Sequence, residues 1–292
     1  MRKIFLYILL LSSLSCSSPG PKAEGNIVTV SIAPFGFFVE KIGGDDFRVN
    51  VMVPEGSDPH VYEPSPAQVS ALRKSSAYIT DGYLDFELAW LDKFYSANRL
   101  MKNITLAGSI DLIREEGHEG HGHALPADPH FWVSPKCALR IASEVKTLLC
   151  ELKPSECEKY ERNYSILTDS IGKIHKRAGE LFAPFAGRSF TVFHPTLSYF
   201  ARDYNLVQVA LEKEGKEPSP SWLKEVIDET RRNRSKLVLT QKEFDMRNAK
   251  VITSETGAQL RVINPLSGDW FSSVNGIIDA VYQSMADSTV NK

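Results

Sequence analysis

Cysteine is scarce, basic charge is not in excess, and apolar runs are confined to the first residues; each shortage removes a class of protein. Four cysteines in 292 residues are too few for a disulfide-built scaffold, and Cys137, Cys150 and Cys157 lack the spacing of a structural zinc site. Against 36 Asp and Glu stand 34 Lys and Arg, a formal charge of −2. That balance lacks the basic footprint of a nucleic-acid binder, and the short Arg231-Arg232-Asn233-Arg234 run reads as a helix C-terminus, where cations meet free carbonyls. After the first residues no stretch approaches the about 20 apolar residues of a membrane span. Apolar residues make up 42 % and charged residues 24 %, ordinary globular usage that excludes a collagenous, largely disordered or polytopic membrane chain.

At about 150 residues per domain, the length points to two lobes. Residues 1–15 read as an export signal: Arg2 and Lys3 precede the apolar run Ile4 to Leu11, and small polar residues follow. Their removal takes the formal charge from −2 to −4. Cys16, in Ser13-Leu14-Ser15-Cys16, resembles the lipid-attachment cysteine of a bacterial lipobox, although Ser13 occupies the position where a strict lipobox carries Leu. The alternative is ordinary cleavage nearby with Cys16 a spectator. Residues 16–25, rich in Pro, Gly and Ser, form a flexible tether. An exported chain permits disulfides, and Cys150 and Cys157 flank the turn-like Lys153-Pro154-Ser155, placed to close a short loop and leave Cys137 over.

From Ile27 onward β-like and helical patterns alternate, which implies parallel sheets flanked by helices. Strands are predicted at Ile27–Ile32, Arg48–Val53 and Ala77–Thr80, with helices after Pro34 and over Pro66–Ser75, Phe86–Tyr95 and Lys136–Leu152. Ser155–Phe182 is the longest helical pattern, with Ser155 as its expected N-cap. Alternation restarts with strands at Ser189–Phe193, Leu206–Ala210, Leu237–Thr240 and Leu260–Ile263, and helices at Thr196–Tyr204, Ser221–Arg232 and Trp270–Met285. The fold class is therefore α/β: an N-terminal lobe over 26–153, a linking helix over 154–186 and a C-terminal lobe over 187–292.

The seven histidines carry the chemistry. His60 follows a strand in Asp58-Pro59-His60, His130 precedes a helix in Asp128-Pro129-His130, and His194 follows a strand in Phe193-His194-Pro195. Ligands bind at the carboxyl ends of strands in open α/β sheets, and a neighbouring proline stiffens the backbone that aims each ring. Two readings stay open at this point: three separate loop histidines bonded to backbone or solvent, or one metal ion shared in a cleft between the lobes. His118, His121 and His123 differ, lying in a glycine-rich acidic tract with Glu115, Glu116 and Glu119. This is a compositional signal for metal capture, with a solvated loop as its alternative. Imidazole suits zinc, copper or nickel better than calcium. His175, between Lys173 and Lys176 in the long helix, reads as a surface residue.

At these residues the chain resembles the zinc-binding solute-binding proteins of bacterial ABC importers, the ZnuA-type branch of the metal-binding cluster. The resemblance covers Ile27 to Met285. It rests on Pro54-Glu55-Gly56-Ser57-Asp58-Pro59-His60 with Tyr62-Glu63-Pro64-Ser65-Pro66, the acidic His-rich loop, and Asp128-Pro129-His130-Phe131-Trp132-Val133-Ser134-Pro135. Phe193-His194-Pro195 with Tyr199-Phe200-Ala201, Glu217-Pro218-Ser219-Pro220, and Val262-Ile263-Asn264-Pro265-Leu266 complete it. The resemblance implies a C-clamp of two lobes on a helical spine, with Zn²⁺ held by His60, His130 and His194. A histidine rather than a glutamate in the third position favours zinc over manganese, which prefers more oxygen. Asn264 departs from the pattern, standing where many relatives carry Asp, so water, Asn264, Glu63 or a loop histidine is the candidate fourth ligand.

The resemblance further implies an exported protein, periplasmic or held at the membrane by a lipid on Cys16. It would be a monomer that binds no nucleic acid and passes its zinc ion to a cognate ABC permease. The rival functions are an exported zinc hydrolase or hydratase, since three histidines plus water is also a catalytic arrangement, and a metal-stabilised surface adhesin. Against the enzyme, no His-Glu-x-x-His pair is present and only Glu63 offers itself as a base.

Overall fold

A computed structural model describes residues 26–114, 127–212, 219–241, 243 and 247–286. The expected export signal, the tether with Cys16, and His118, His121 and His123 lie outside the described residues. In the first lobe, β1 (Ile27–Ile32), α1 (Ala33–Gly43), β2 (Arg48–Val53), α2 (Pro66–Leu72), β3 (Ser75–Thr80), α3 (Asp85–Ala97) and β4 (Lys102–Thr105) alternate. Their strands form a wholly parallel sheet in the order β2-β1-β3-β4. α4 (Pro135–Leu152) and α5 (Cys157–Phe182) follow. The second lobe runs β5 (Ser189–Val192), α6 (Ser198–Asp203), β6 (Val207–Ala210), α7 (Pro220–Arg232), β7 (Leu237–Gln241), α8 (Arg247–Thr256), β8 (Gln259–Ile263) and α9 (Trp270–Ala286). It repeats the arrangement as β6-β5-β7-β8, again all parallel.

The central strand β1, Ile-Val-Thr-Val-Ser-Ile, is buried at every position, as expected of a strand covered by helices on both faces. Helix starts follow their caps. Ser65 and Gln68 form a reciprocal capping box before α2, and the Ser134 and Ser219 hydroxyls accept backbone N–H groups at the starts of α4 and α7. Arg231 and Arg232 do occupy the last turn of α7.

The long helix starts later than its pattern suggests. Pro154–Glu156 forms a separate 3-10 turn and the Ser155 side chain makes no cap, so α5 begins at Cys157, which a disulfide joins to Cys150 on α4. Cys137 is buried and free. At 26 residues α5 extends about 39 Å, packing on α1 and α4 of the first lobe and on α9 at its far end. Two elements carry no clear sequence pattern, β4 and α8. The first is a short, polar edge strand, and the second is polar along most of its length.

The larger of two core clusters runs through both lobes, with Trp132 and Trp270 within it as fully buried rings, and a smaller one around Phe193, Val226 and Val238 lies in the second lobe. The Trp270 indole N–H donates to the Trp132 carbonyl at 2.7 Å, and Trp132 donates to the Pro265 carbonyl at 2.9 Å. These bonds fasten the segment after His130 to the second lobe. No helix among the described residues is long and apolar enough to cross a membrane.

Candidate metal centre

Each of the three histidines is held by its own sequence neighbours. In Asp58-Pro59-His60 the Asp58 carboxylate accepts the His60 backbone N–H at 2.9 Å, and in Asp128-Pro129-His130 Asp128 accepts that of His130 at 2.8 Å. The same Asp-Pro-His turn is thus used twice, its proline limiting the backbone and its aspartate closing the loop. His194 leaves the end of β5. Its carbonyl accepts the Thr196 N–H at 2.8 Å, and Gln241 at the end of β7 reaches the Thr196 hydroxyl at 2.6 Å.

The side chains converge. The Nε2 atoms of His60 and His194 stand 3.3 Å apart, and those of His130 and His194 also 3.3 Å. All three residues offer ligand atoms within 4.8 Å of one another. Every Nδ1 faces a carboxylate: His60 to Asp85 at 2.6 Å, His130 to Asp128 at 2.7 Å and His194 to Glu212 at 2.5 Å. An ionised carboxylate only accepts, so each Nδ1 carries the hydrogen and each Nε2 keeps its lone pair. Three lone pairs then point at a common centre, an arrangement that repels itself unless a cation lies between. Two nitrogens about 2.0–2.1 Å from zinc at the tetrahedral angle would be about 3.3–3.4 Å apart, the spacing found here.

Burial tunes the shell. It holds the His194 imidazole below its ordinary range, against the opposing pull of the Glu212 hydrogen bond. Burial raises the Asp128 carboxyl, but the electrostatic pull of the adjacent His130 ring and the hydrogen bonds from His130 and Ser198 outweigh it and leave the group below the usual carboxylate range. His130 and His194 are 7 % exposed at the side chain while His60 is 27 % exposed, so the cluster is approached from the His60 side.

That side opens on a cavity of 590 Å³ whose rim includes Asp58, Asp85, Ile113 and Ala127. The residues 115–126 that hold the three loop histidines are outside the described residues, but both ends of that segment are described. Arg114 and Ala127 pair as an antiparallel bridge, and the Asp128 N–H donates to Ile113 at 2.9 Å, so the residues flanking that segment lie together at the cavity rim.

Neither expected fourth ligand lines the space around the imidazoles. The Asn264 amide donates to Glu55 across the lobes, and Glu63 is exposed on the β2–α2 loop. His175 is not a free surface residue; it is half-buried, its ring 3.1 Å from the Tyr204 hydroxyl. Sequence reasoning missed Asp85 and Glu212 as ring partners. Asp85 opens α3 and Glu212 lies two residues beyond the end of β6, and neither lies next to the histidine it holds, so no local signal pointed to them. Asp128 was visible in its own motif.

The model of the family described as zinc-uptake complex component A, periplasmic (ZnuA), matches residues 28–291. The chain belongs to the ZnuA family. A crystal structure of a ZnuA superposes on this family member with a TM-score of 0.83 at 38 % identity, covering 90 % of this chain and all of that one. A ZnuA deletion mutant determined with zinc bound gives 0.82 at 38 % identity over 90 % of this chain and 98 % of its own. The zinc-binding lipoprotein AdcA of Streptococcus pneumoniae is 27 % identical over 284 residues, 91 % of this chain and 56 % of AdcA. The ZnuA-family chain therefore spans about half the length of that curated relative. The two-lobe fold on one long helix agrees with the expected C-clamp.

Proposed function

We propose that this protein is an extracytoplasmic zinc carrier that binds Zn²⁺ through the Nε2 atoms of His60, His130 and His194 and delivers it to an ABC permease. The observation that carries this reading is His194 Nε2 at tetrahedral zinc spacing, 3.3 Å, from both His60 and His130, with all three ligand atoms within 4.8 Å of one another and each Nδ1 facing a carboxylate. Membership of a family of zinc-uptake components supplies the destination. An all-nitrogen set favours zinc over manganese. Here the ion is cargo, and the protein is a binding protein rather than an enzyme. Residues 1–15 would direct export, Cys16 would bear the lipid that keeps the carrier at the membrane, and the carrier would work as a monomer. The His118, His121 and His123 tract would gather ions before they reach the cleft, a role supported by its flanking residues Ile113 and Ala127 lining the cavity.

Release has a direction. His130 and His194 are joined by bonds between the lobes, including Tyr199 donating to the Asp128 carbonyl at 2.6 Å and Trp132 to Pro265. Withdrawing His194 from both partners would break that set. Withdrawing the more exposed His60 leaves those bonds in place, so permease docking would act on the Gly56–His60 loop.

Metal content tests the reading. The purified mature protein should hold one zinc ion per chain, and His60→Ala, His130→Ala and His194→Ala should each lose it under competition from a chelator. Stoichiometric zinc retained by His194→Ala would overturn a site shared between the lobes.

A further inference from the structure

Three neutral imidazoles give a zinc ion three of the four ligands it usually takes and none of the negative charge that would offset its own. Beside the cluster is a second, small space lined by the three histidines together with Trp132, Gln241 and Glu243. Glu243 lies just beyond β7, and one of its carboxylate oxygens, Oε1, is buried without a hydrogen-bond partner. Taking a carboxylate oxygen out of water with nothing to accept from is costly, and such an atom persists where something else meets it. The strand it follows is tied to the cluster, because Gln241 donates to Thr196, two residues from His194. Asn264, the other polar group considered for this role, also buries an unpartnered oxygen, Oδ1, but its amide N–H donates to Glu55, it is neutral, and it does not line this space, whereas Glu243 does.

From this placement we infer that Glu243 is the fourth, charge-compensating ligand of the bound zinc ion, supplied by the second lobe through Oε1. The inference rests on the three-histidine site proposed above. It makes the ligand set symmetric about the cleft, with His60 and His130 from one lobe and His194 and Glu243 from the other. It also gives the buried oxygen a partner only when the ion is present, so zinc binding removes an electrostatic penalty that the zinc-free protein carries.

The test compares wild type, Glu243→Gln, Glu243→Ala and His194→Ala, all as the full mature chain, using zinc titrations against a chromophoric chelator and the visible spectrum of the cobalt(II)-substituted protein. Both Glu243 variants should keep one ion per chain but bind zinc more weakly, on the order of 10- to 100-fold. Their cobalt spectra should change in band position and intensity because an anionic oxygen has left the coordination sphere. Glu243→Gln should melt at the same temperature as wild type or higher without metal and lower with zinc, which a general folding defect would not produce. If Glu243→Gln matches wild type in affinity and cobalt spectrum while His194→Ala loses the ion, Glu243 is no ligand and the three-histidine site stands. If wild type itself takes up no zinc, both readings fall.

Discussion

His194 is the residue on which the site turns, because it alone places its Nε2 at 3.3 Å from both other rings. Burial keeps its imidazole neutral below the ordinary histidine value of about 6.5. The sign of the pH dependence follows. Above about pH 6.5 no proton competes for Nε2, so zinc affinity should be nearly level there with respect to this residue, and it should fall as acidification brings His194 toward its lowered folded-state value. The zinc-free fold should follow the same direction. The contribution of His194 to stability is complete above about pH 6.5 and is lost as the pH falls, because the unfolded chain takes up the proton first. Competition titrations and chemical denaturation across pH 5 to 8 would check both, and an affinity that rises on acidification would contradict the assignment. The carboxylates behind the rings belong to this scale too: without Asp85, Asp128 and Glu212 either ring nitrogen could hold the hydrogen, and the lone pairs would not be fixed toward one centre.

Among the elements, the turn between β3 and α3 sets the position of Asp85 and through it the ring of His60. The buried Glu87 carboxylate accepts the Asp81 N–H at 2.8 Å and the Gly82 N–H at 2.7 Å, while Gly82 has a φ of +112°. A Cβ there would stand 2.6 Å from the Thr105 methyl group, so both the backbone angle and the neighbouring strand β4 require glycine. Gly82→Ala should cost about 1–3 kcal/mol of stability and weaken zinc binding by displacing Asp85. Denaturant melts beside zinc titrations would show it, and a variant unchanged in both would mean that the turn does not govern the site. Burial pushes the Glu87 carboxyl up to about 7, a cost accepted to hold this corner. The element pattern was legible wherever strands were buried and apolar, as in β1. It failed at β4 and α8, whose polar residues leave no periodic signal, and at the start of α5, where Pro154 opens a 3-10 turn ahead of the helix.

For the whole molecule, the question is how two lobes with one shared core change their relation. The long α5 touches α1 and α4 at one end and α9 at the other, and the Tyr199 hydroxyl both donates to the Asp128 carbonyl and accepts the Ile113 N–H at 3.2 Å. Tyr199→Phe removes that bridge without emptying the space and should cost about 1–3 kcal/mol, since two backbone groups lose a partner. Amide exchange at residues 127–133 should quicken while the lobes stay folded; unchanged exchange there would show that the bridge does not hold the lobes together.

The sequence by itself determined the α/β class and the two-lobe division and singled out His60, His130 and His194, with Cys150 and Cys157 as a candidate pair, because these rest on periodicity, spacing and local turn chemistry such as Asp-Pro-His; the disulfide itself was decided by the structure. Tertiary structure alone decided which nitrogen of each ring faces the centre, that Asp85 and Glu212 hold two of them, and that Asn264 is drawn to Glu55 while Glu243, with a buried unpaired oxygen, lines the small space beside the three histidines. Those outcomes depend on groups far apart in the chain meeting across two sheets, and no local pattern records such a meeting.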